Sequence, residues 1–301
     1  MRAVARTALA VGAAGVSCVT YGTLIERRWY RLRRLALPGA LRQPARTPDG
    51  RLRILHVSDL HLAPGQDHRV RFLGSLSRLD HDLVVATGDL LGATAAEDVT
   101  ADALAPLTSG GRPGLVVLGS NDLYAPVLKS PAVYFRAPSQ GVHGQELDTP
   151  RFEARLAEYG YRTLHGEAAV LDLPAGRIGV AGFDDPHLPT TVLPSVADVT
   201  PAPSDAVVHL GLVHAPYLAA LDVLVEAGHD VLLAGHTHGG QVRLPGIGAL
   251  VANCDLPLDQ ARGESRYRGR WLHVSPGLGH SRYAPFRFAC RPEATLLELS
   301  A

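Results

Sequence analysis

Residues that can bind metal ions follow the ends of five short apolar runs in this chain of 301 residues. In chain order they stand in Ser58-Asp59-Leu60-His61, Thr87-Gly88-Asp89, Gly119-Ser120-Asn121-Asp122, the single His214, and Gly235-His236-Thr237-His238. Residues two apart on extended backbone point the same way, so Asp59 and His61 can direct two donors at one point. The pair His236 and His238 can do the same.

Carboxylate and imidazole groups together are the ligands that Mn, Fe, Zn or Co ions accept, whereas a purely hard cation prefers oxygen alone. Counting one donor for each of Asp59, His61, Asp89, Asn121, His214, His236 and His238, the chain offers seven. Seven donors exceed what one tetrahedral site uses. The sequence therefore predicts two adjacent divalent metal ions, an arrangement suited to hydrolysis.

These donors need strands that end side by side. Nine apolar runs recur from residue 52 onward, several without polar alternation, as in strands buried on both faces: 52–57, 83–86, 115–118, 169–173, 178–181, 207–213, 231–234, 271–274 and 295–299. Segments 70–79 and 218–225 have helical spacing between them. Alternating strands and helices predict an α/β fold with a largely parallel sheet, whose strand ends line the ligand crevice. Segment 124–150, rich in Pro and Gly, is predicted to be a long functional loop.

Composition excludes several classes of protein. The chain is 46% hydrophobic and 19% charged, as expected of a globular protein. Its three cysteines form no C-x-x-C pair, which excludes a disulfide framework and a zinc ribbon. Residues 1–50 hold nine Arg against two acidic residues, so with a net charge of zero the remainder carries seven more acidic than basic groups. An acidic main domain argues against a nuclease or another nucleic-acid binder.

The N-terminal segment is predicted to be a membrane anchor. Residues 7–25 are uncharged and would span ~28 Å as a helix, about one hydrocarbon thickness. The basic and aromatic stretch 26–35 does not resemble a cleavage site, which favours an uncleaved anchor over a signal peptide. This stretch suits contact with membrane lipids, the alternative being a solvated basic helix end. More Arg residues follow the uncharged segment than precede it, and this asymmetry places the catalytic domain in the cytoplasm. We expect anchor, basic segment and linker over 1–50 and the catalytic domain over 51–301.

The whole set resembles the calcineurin-like metallophosphoesterase superfamily. Within it, Gly-His-Thr-His-Gly-Gly-Gln at 235–241 is similar to the branch of bacterial membrane-associated phosphoesterases. So are Pro-Gly-Leu-Gly at 276–279, Pro-Phe-Arg-Phe at 285–288, Arg-Pro-Glu at 291–293, and the Tyr-Gly-x-Leu-Ile-Glu stretch at 21–26. The resemblance implies the metallo-dependent phosphatase fold, in which two packed β-sheets are flanked by helices.

The resemblance also implies two metal sites, with three ligands in the first, two in the second and one bridging ligand. In that order these are Asp59, His61 and His238; His214 and His236; and Asp89. The family supplies a further Asn ligand and a general-acid His from a Gly-Asn-His-Asp/Glu motif, which here reads Gly119-Ser120-Asn121-Asp122. An ungapped alignment puts Ser120 at the ligand and Asn121 at the acid, and a shift by one residue makes Asn121 the ligand. Serine is a weak neutral ligand, so we favour Asn121 as reaching the metal or the phosphate in either register.

The usual general acid is missing in both registers. Asn cannot protonate an alkoxide as it leaves, so the site should favour leaving groups that depart as stable anions. His143 and His280 are candidate substitutes for the acid, although the favoured interpretation of each is an ordinary loop histidine. We count Asn121, Asp122 and His280 as candidate catalytic residues.

Together these features predict a two-metal phosphohydrolase at a membrane surface. A metal-bridging hydroxide would attack a phosphodiester or pyrophosphate in line. The substrate would be a phosphoester or pyrophosphate, including a lipid-linked one, and the two metal ions would be Mn, Fe, Zn or Co, with manganese the first to consider. The alternative is a metal-binding scaffold or sensor whose altered 119–122 turn has abolished turnover.

Overall fold

The computed structural model describes residues 2–128, 144–202, 204–280 and 283–301, excluding the side chains at 2–5, 8, 10 and 11. The helices in these ranges are α1 (Arg2–Thr20), α2 (Asp67–Leu76), α3 (Glu97–Leu104), α4 (Ser120–Leu123), α5 (Thr149–Glu158) and α6 (Leu218–Glu226). The strands are β1 (Arg31–Leu37), β2 (Leu52–Val57), β3 (Leu83–Thr87), β4 (Gly114–Val117), β5 (Tyr161–Thr163), β6 (Glu167–Leu173), β7 (Gly176–Phe183), β8 (Val208–Val213), β9 (Val231–Ala234), β10 (Arg243–Leu244), β11 (Gly248–Ala249), β12 (Gly263–Tyr267), β13 (Arg270–Val274) and β14 (Glu293–Leu299).

Two six-stranded sheets carry most of these strands. The first has the order β1-β14-β2-β3-β4-β5, in which only the β14–β2 pair is antiparallel. The second has the order β12-β13-β9-β8-β7-β6, with antiparallel pairs at its two edges and parallel pairs between them. Strands β10 and β11 form a separate antiparallel hairpin. The predicted mixed α/β fold is confirmed, with two parallel-rich sheets.

The central strands are buried on both faces because helices cover the outer side of each sheet. Ile54 of β2 packs in the apolar core between the sheets, together with Leu210 of β8. Leu55, one position along, faces the outer side with residues of α2, α3 and α5. Helix α6 covers the outer face of the second sheet through Leu221. Each such strand therefore reads as a continuous apolar run.

All nine apolar runs predicted to be strands form strands, and segments 70–79 and 218–225 contribute to α2 and α6. The pattern did not reveal β1, β5, β12 or the β10–β11 hairpin. These strands lie at sheet edges or outside the two sheets and lack a continuous apolar run. Of the loop predicted at 124–150, residues 129–143 lie outside the described residues.

Part of the segment ahead of Arg51, where the catalytic domain is predicted to begin, packs into the fold. Strand β1 pairs in parallel with β14 along its whole length. In the segment predicted as a linker, Ala40, Leu41 and Ala45 are buried in the core between the sheets. The amide of Arg42 donates to the Val207 carbonyl of the second sheet. Proline and glycine here shape a tightly bound connection.

The segment predicted to be a membrane anchor is helical. Helix α1 covers most of the uncharged segment and continues into a π-helical turn at Tyr21–Ile25. None of the helices in the described parts of the chain combines the length and the apolar character required to cross a bilayer.

Candidate metal centre

The predicted ligands meet where the carboxyl ends of the two sheets face each other. Three hydrogen bonds join these ends: the His236 amide donates to Asp59, the Ser120 amide donates to Asp185, and His214 Nδ1 lies 2.6 Å from the Thr87 carbonyl oxygen. Each of these contacts uses a side chain from one of the donor clusters, so the same bonds join the sheets and orient candidate ligands.

The backbone at the predicted ligands is strained. Five of them adopt positive φ values, a region that non-glycine residues rarely occupy: Asp59 (49°), His61 (39°), Asp89 (52°), His236 (67°) and His238 (49°). Such conformations cost roughly 1–3 kcal/mol each and persist where the surrounding structure enforces them, typically at functional sites. The strain turns each side chain toward the space between the sheets.

Asp59, His61 and His238 form the first donor cluster, with ligand atoms all within 4.8 Å of one another. The Nε2 atoms of the two histidines are 3.2 Å apart, and His238 Nε2 lies 3.7 Å from Asp59 Oδ1. Asp59 is fully buried and also accepts hydrogen bonds from the Ser58 hydroxyl and the His236 amide. One carboxylate and two imidazoles thus converge on one point.

His214 and His236 form a second cluster with Asp185, again with ligand atoms within 4.8 Å of one another. Nδ1 of His236 lies 3.3 Å from Nε2 of His214. The opposite nitrogens face backbone carbonyl oxygens, His214 Nδ1 that of Thr87 and His236 Nε2 that of Asn253. Such carbonyl contacts fix the ring orientation and the tautomer of metal-binding histidines.

Asp89 lies between the two clusters. Its Oδ2 atom is 3.5 Å from His61 Nε2 and its Oδ1 atom is 3.5 Å from His214 Nε2. Asp59, Asp89 and His214 also form a cluster of their own within 4.8 Å. Asp89 thus faces one histidine of each cluster.

The protonation states of the histidines fit metal binding. Burial lowers the pKa of His61 and of His236 to about 4, and it lowers the pKa of His238 well below its usual value. These three rings are therefore neutral at physiological pH, which is the form that binds a metal. Burial opposes a charge on His214 as well, but the neighbouring Asp89 and Asp185 raise its pKa well above the usual range. A cation bound there would displace that proton.

The buried carboxylates of Asp59 and Asp89 need a nearby positive charge to remain ionised. Burial, with a further contribution from Asp89, raises the pKa of Asp59 to about 7 against the opposing effect of His214. Burial also disfavours ionisation of Asp89, but His214 holds the pKa of Asp89 well below its usual value. In the described part of the chain, the ion pairs of these two carboxylates are with histidines alone. Buried carboxylates and neutral imidazoles form a donor set that fits divalent metal ions.

The turn at 119–122 holds Asp122 in a structural position. Its Oδ1 atom accepts hydrogen bonds from the amides of Leu90 and Leu91, and its Oδ2 atom accepts one from Gly119. Asp122 is fully buried, and these contacts engage both of its oxygens. The side chain predicted as a catalytic candidate thus fixes the turn that follows Asp89.

Asn121 points its donors at the shared carboxylate. Its amide nitrogen donates to Asp89 Oδ1 at 2.9 Å, and its side-chain Nδ2 donates to Asp89 Oδ2 at 2.7 Å. Its neighbour Ser120 donates its backbone N–H to Asp185. Asn121 thus lies at the centre, but as a hydrogen-bond donor.

His280 follows Gly279, whose amide donates to the Asp59 carbonyl oxygen, and His280 belongs to neither donor cluster. His143 lies outside the described residues. The structure adds Asp185 and His187, which sequence reasoning missed. The His187 ring is tilted by 45° against that of His236, with ring centres 4.8 Å apart, and its Nδ1 atom lies 2.7 Å from the Tyr217 hydroxyl.

A signal for Asp185 was present in the sequence. Asp184 and Asp185 follow an apolar run that was recognised at 178–181. Gly182 and Phe183 intervene because β7 extends to Phe183, so the carboxylates did not stand directly behind the run.

Arg287, the largest fully buried side chain, was also not singled out from the sequence. It donates hydrogen bonds to the carbonyl oxygens of Pro276 and Gly279, and so holds the loop whose Gly277 packs against Asp59. A methyl group added at Gly277 would lie 2.6 Å from the Asp59 Cβ atom.

Comparison with known proteins gives consistent matches. Residues 52–240 match the family model described as calcineurin-like phosphoesterase. Phosphodiesterase YaeI of Escherichia coli (strain K12) is 31% identical over 147 residues, covering 48% of this chain and 49% of that protein. The metallophosphoesterase YkuE of Bacillus subtilis (strain 168), whose function is uncharacterised, is 30% identical over 156 residues, 51% of each chain. YkoQ of the same organism, likewise an uncharacterised metallophosphoesterase, is 28% identical over 253 residues, 83% of this chain and 84% of that protein. The matches to the first two thus span about half the length of those relatives.

Proposed function

We propose that this chain, which belongs to the calcineurin-like phosphoesterase family, hydrolyses a phosphodiester or pyrophosphate bond with two divalent metal ions. One observation carries the proposal: carboxylates and imidazoles from both sheets converge in two clusters joined by Asp89. The name of the relative YaeI, a phosphodiesterase, supports the same class of substrate.

The residues that would hold the metals follow from the clusters. Asp59, His61 and His238 would bind the first cation, His214 and His236 the second, and Asp89 would be shared between them. Manganese, iron, zinc and cobalt all suit this mixture of oxygen and nitrogen donors, and we take manganese as the first metal to test. When bound, divalent cations supply Lewis-acid activation of the phosphoryl group and of water near neutral pH.

Other groups of the chain orient the ligand side chains. The carbonyl oxygens of Thr87 and Asn253 hold His214 and His236 with one nitrogen facing the cluster. Two hydrogen bonds from Asn121 hold the shared Asp89 carboxylate in place. Leu60 and Leu62, on either side of His61, are buried in the apolar core that also includes residues of α2, α3 and α5.

The lack of a proton donor at Asn121 limits which leaving groups this site can expel. Asn121 stands beside the centre and its amide cannot give up a proton at neutral pH. A diphosphate, which leaves as a stable anion, needs no such proton, and neither does an activated ester. We therefore place pyrophosphates and diesters with acidic leaving groups ahead of simple alkyl phosphates as substrates.

A substrate screen tests the proposal. The full-length chain is assayed with Mn²⁺ against p-nitrophenyl mono- and diesters and against nucleoside diphosphate sugars and other diphosphates, with Asp89→Asn as the inactive control. Turnover that requires Mn²⁺ and is lost in the control is the expected result. Bound metal without turnover on any substrate would overturn the hydrolase and leave a metal-binding scaffold or sensor.

We also propose that the enzyme acts at a membrane surface. The chain exposes Leu24, Ile25 and Trp29 beside Arg27 and Arg28, an arrangement of apolar and basic side chains suited to anionic headgroups. Anionic lipids are concentrated in the cytoplasmic leaflet, so we place the enzyme on that side of the membrane. An enzyme held at the membrane surface would favour a lipid-linked phosphoester as its substrate.

Flotation with vesicles tests this attachment. The full-length chain should float with phosphatidylserine-containing vesicles at low salt, and a variant lacking residues 1–30 should not. Release by high salt alone would mean attachment through the arginines, whereas failure of the full-length chain to float would remove the membrane from the proposal.

A further inference from the structure

Asp185 lies in the second donor cluster at the end of a strand next to those that carry the histidines. Strands β7, β8 and β9 are parallel neighbours, and Asp185, His214 and His236 follow their carboxyl ends. The ligand atoms of these three residues lie within 4.8 Å of one another. The arrangement has the same composition as the first cluster, namely one carboxylate and two imidazoles.

The Asp185 carboxylate is buried, and the basic side chains beside it are histidines rather than arginine or lysine. It is fully buried, and its oxygens accept hydrogen bonds from two neutral backbone amides, those of Ser120 and His187. In the described ranges, arginines and lysines form no salt bridge with it. An ionised carboxylate in such a position requires a nearby cation.

The turn at 119–122 leaves the second cluster short of an oxygen donor. Asn121 directs its amide nitrogen at Asp89, and Ser120 directs its backbone N–H at Asp185. Through the Ser120 contact, Asp185 lies against the 119–122 turn. The sequence predicts that either Ser120 or Asn121 of this turn is the further metal ligand. A carboxylate that follows β7 thus contacts the turn from which a neutral ligand was expected.

We propose that Asp185 is a ligand of the second metal ion, in place of the side chain that the 119–122 turn would otherwise supply. The inference rests on the proposed function, because it assumes that the clusters hold divalent cations. A carboxylate in place of a neutral donor adds one negative charge to the site. The second site should therefore hold a divalent cation more tightly than a site built from two histidines and the shared Asp89 alone.

The test is the number of Mn²⁺ ions bound per full-length chain, together with their dissociation constants and the Mn²⁺ electron paramagnetic resonance spectrum. We compare the unaltered protein with Asp185→Asn and with Asp184→Asn. Asp184 is the matched control because it is the adjacent carboxylate on the same loop, pairs with His165 and belongs to neither cluster. Asp185→Glu, which keeps a carboxylate, serves as the second variant should the Asn variant fail to fold.

We expect two Mn²⁺ with a spin-coupled spectrum in the unaltered protein and in Asp184→Asn. In Asp185→Asn, one ion should bind at least about 10-fold more weakly, and the remaining ion should give the spectrum of an isolated Mn²⁺. Asp185→Glu should retain more of the second ion than Asp185→Asn.

Two equally tight ions in folded Asp185→Asn would overturn the role of Asp185 and leave the two-metal hydrolase standing. Fewer than two bound ions in the unaltered protein, with the same number in Asp185→Asn, would overturn both the role of Asp185 and the two-metal hydrolase. If the unaltered protein binds one ion and Asp185→Asn binds none, Asp185 is a ligand and the two-metal arrangement is wrong.

Discussion

Asp89 is the side chain on which both donor clusters depend, since its two oxygens face different histidines. Replacing Asp89 by Asn removes the shared negative charge while keeping the shape of the side chain. We expect both metal ions to bind more weakly, and turnover to fall by at least about 10²-fold, more than is usual for residues that only support a ligand. Elemental analysis after dialysis against Mn²⁺, together with an assay on a p-nitrophenyl diester, measures both effects. Asp80→Asn, at an exposed position, is the control; unchanged metal content in Asp89→Asn would contradict the assignment.

Asn121 should make the rate depend steeply on the leaving group. A proton donated in the transition state is worth about 10²–10⁴-fold, and Asn121 cannot donate one. We expect p-nitrophenyl esters and diphosphates to be cleaved faster than alkyl esters by a factor of about that size. Asn121→His should then increase the rate on alkyl esters selectively, with the rate on p-nitrophenyl esters as the internal control. Equal rates on the two kinds of ester in the unaltered protein would mean that another residue supplies the proton, and His280 would be the first to replace.

At the residue scale, the sequence indicated the donors because their types are specific and their positions behind strands are regular. It could not indicate the direction of each side chain. Whether Ser120 or Asn121 faces the metals depends on the hydrogen bonds of the turn, which Asp122 fixes from within the fold. Asp185 was missed because its nearness to His214 arises only once β7 and β8 pair.

At the element scale, His165 connects the loop after β7 to helix α5. It contacts Asp184 next to the second cluster and Glu153 of α5. A hydrogen bond to Asp184, with the added charge of Glu153, raises the pKa of His165 to about 9. Because the folded state holds the proton more tightly than the unfolded state, the stabilisation is complete below pH 6.5 and is lost as the pH rises toward about 9.

His165→Gln should therefore lower the free energy of unfolding near pH 6 and have no electrostatic effect above about pH 9. The side chain is half exposed, so we expect a difference of at most about 1 kcal/mol. Denaturant titrations of both proteins with EDTA, from pH 6 to pH 10, measure it, and the pKa follows from the NMR titration of the His165 ring. A ring that titrates near 6.5 would contradict the predicted contacts.

The strands that could be predicted are those buried on both faces, because burial imposes an unbroken apolar run. Strand β1 has the pattern Arg-Leu-Arg-Arg-Leu-Ala-Leu and lies at the edge of its sheet. Its arginines pair with Glu293, Glu264 and Glu298, contacts that no local pattern announces. A basic segment beside an uncharged run was therefore interpreted as membrane-facing, although part of it is a strand.

At the scale of the whole molecule, this strand decides where the folded unit begins. Leu37 and Leu41 are buried in the core between the sheets, and β14 loses its edge partner if β1 is removed. Burying one such side chain contributes roughly 1.5–3 kcal/mol, so the two together contribute about 3–6 kcal/mol. With a shift of about 2–4 °C per kcal/mol for a domain of this size, deletion of residues 1–45 should lower the melting temperature by at least about 6 °C.

Deletion of residues 1–20 removes α1 alone and should leave the melting temperature and the Mn²⁺-dependent activity close to those of the full-length chain. Thermal unfolding of the three proteins with Mn²⁺ measures the difference, and Leu37→Ala in the full-length chain should reproduce part of the loss, about 2–5 kcal/mol. Equal melting temperatures for the two deletions would show that the catalytic unit folds without β1 and begins near Arg51 after all.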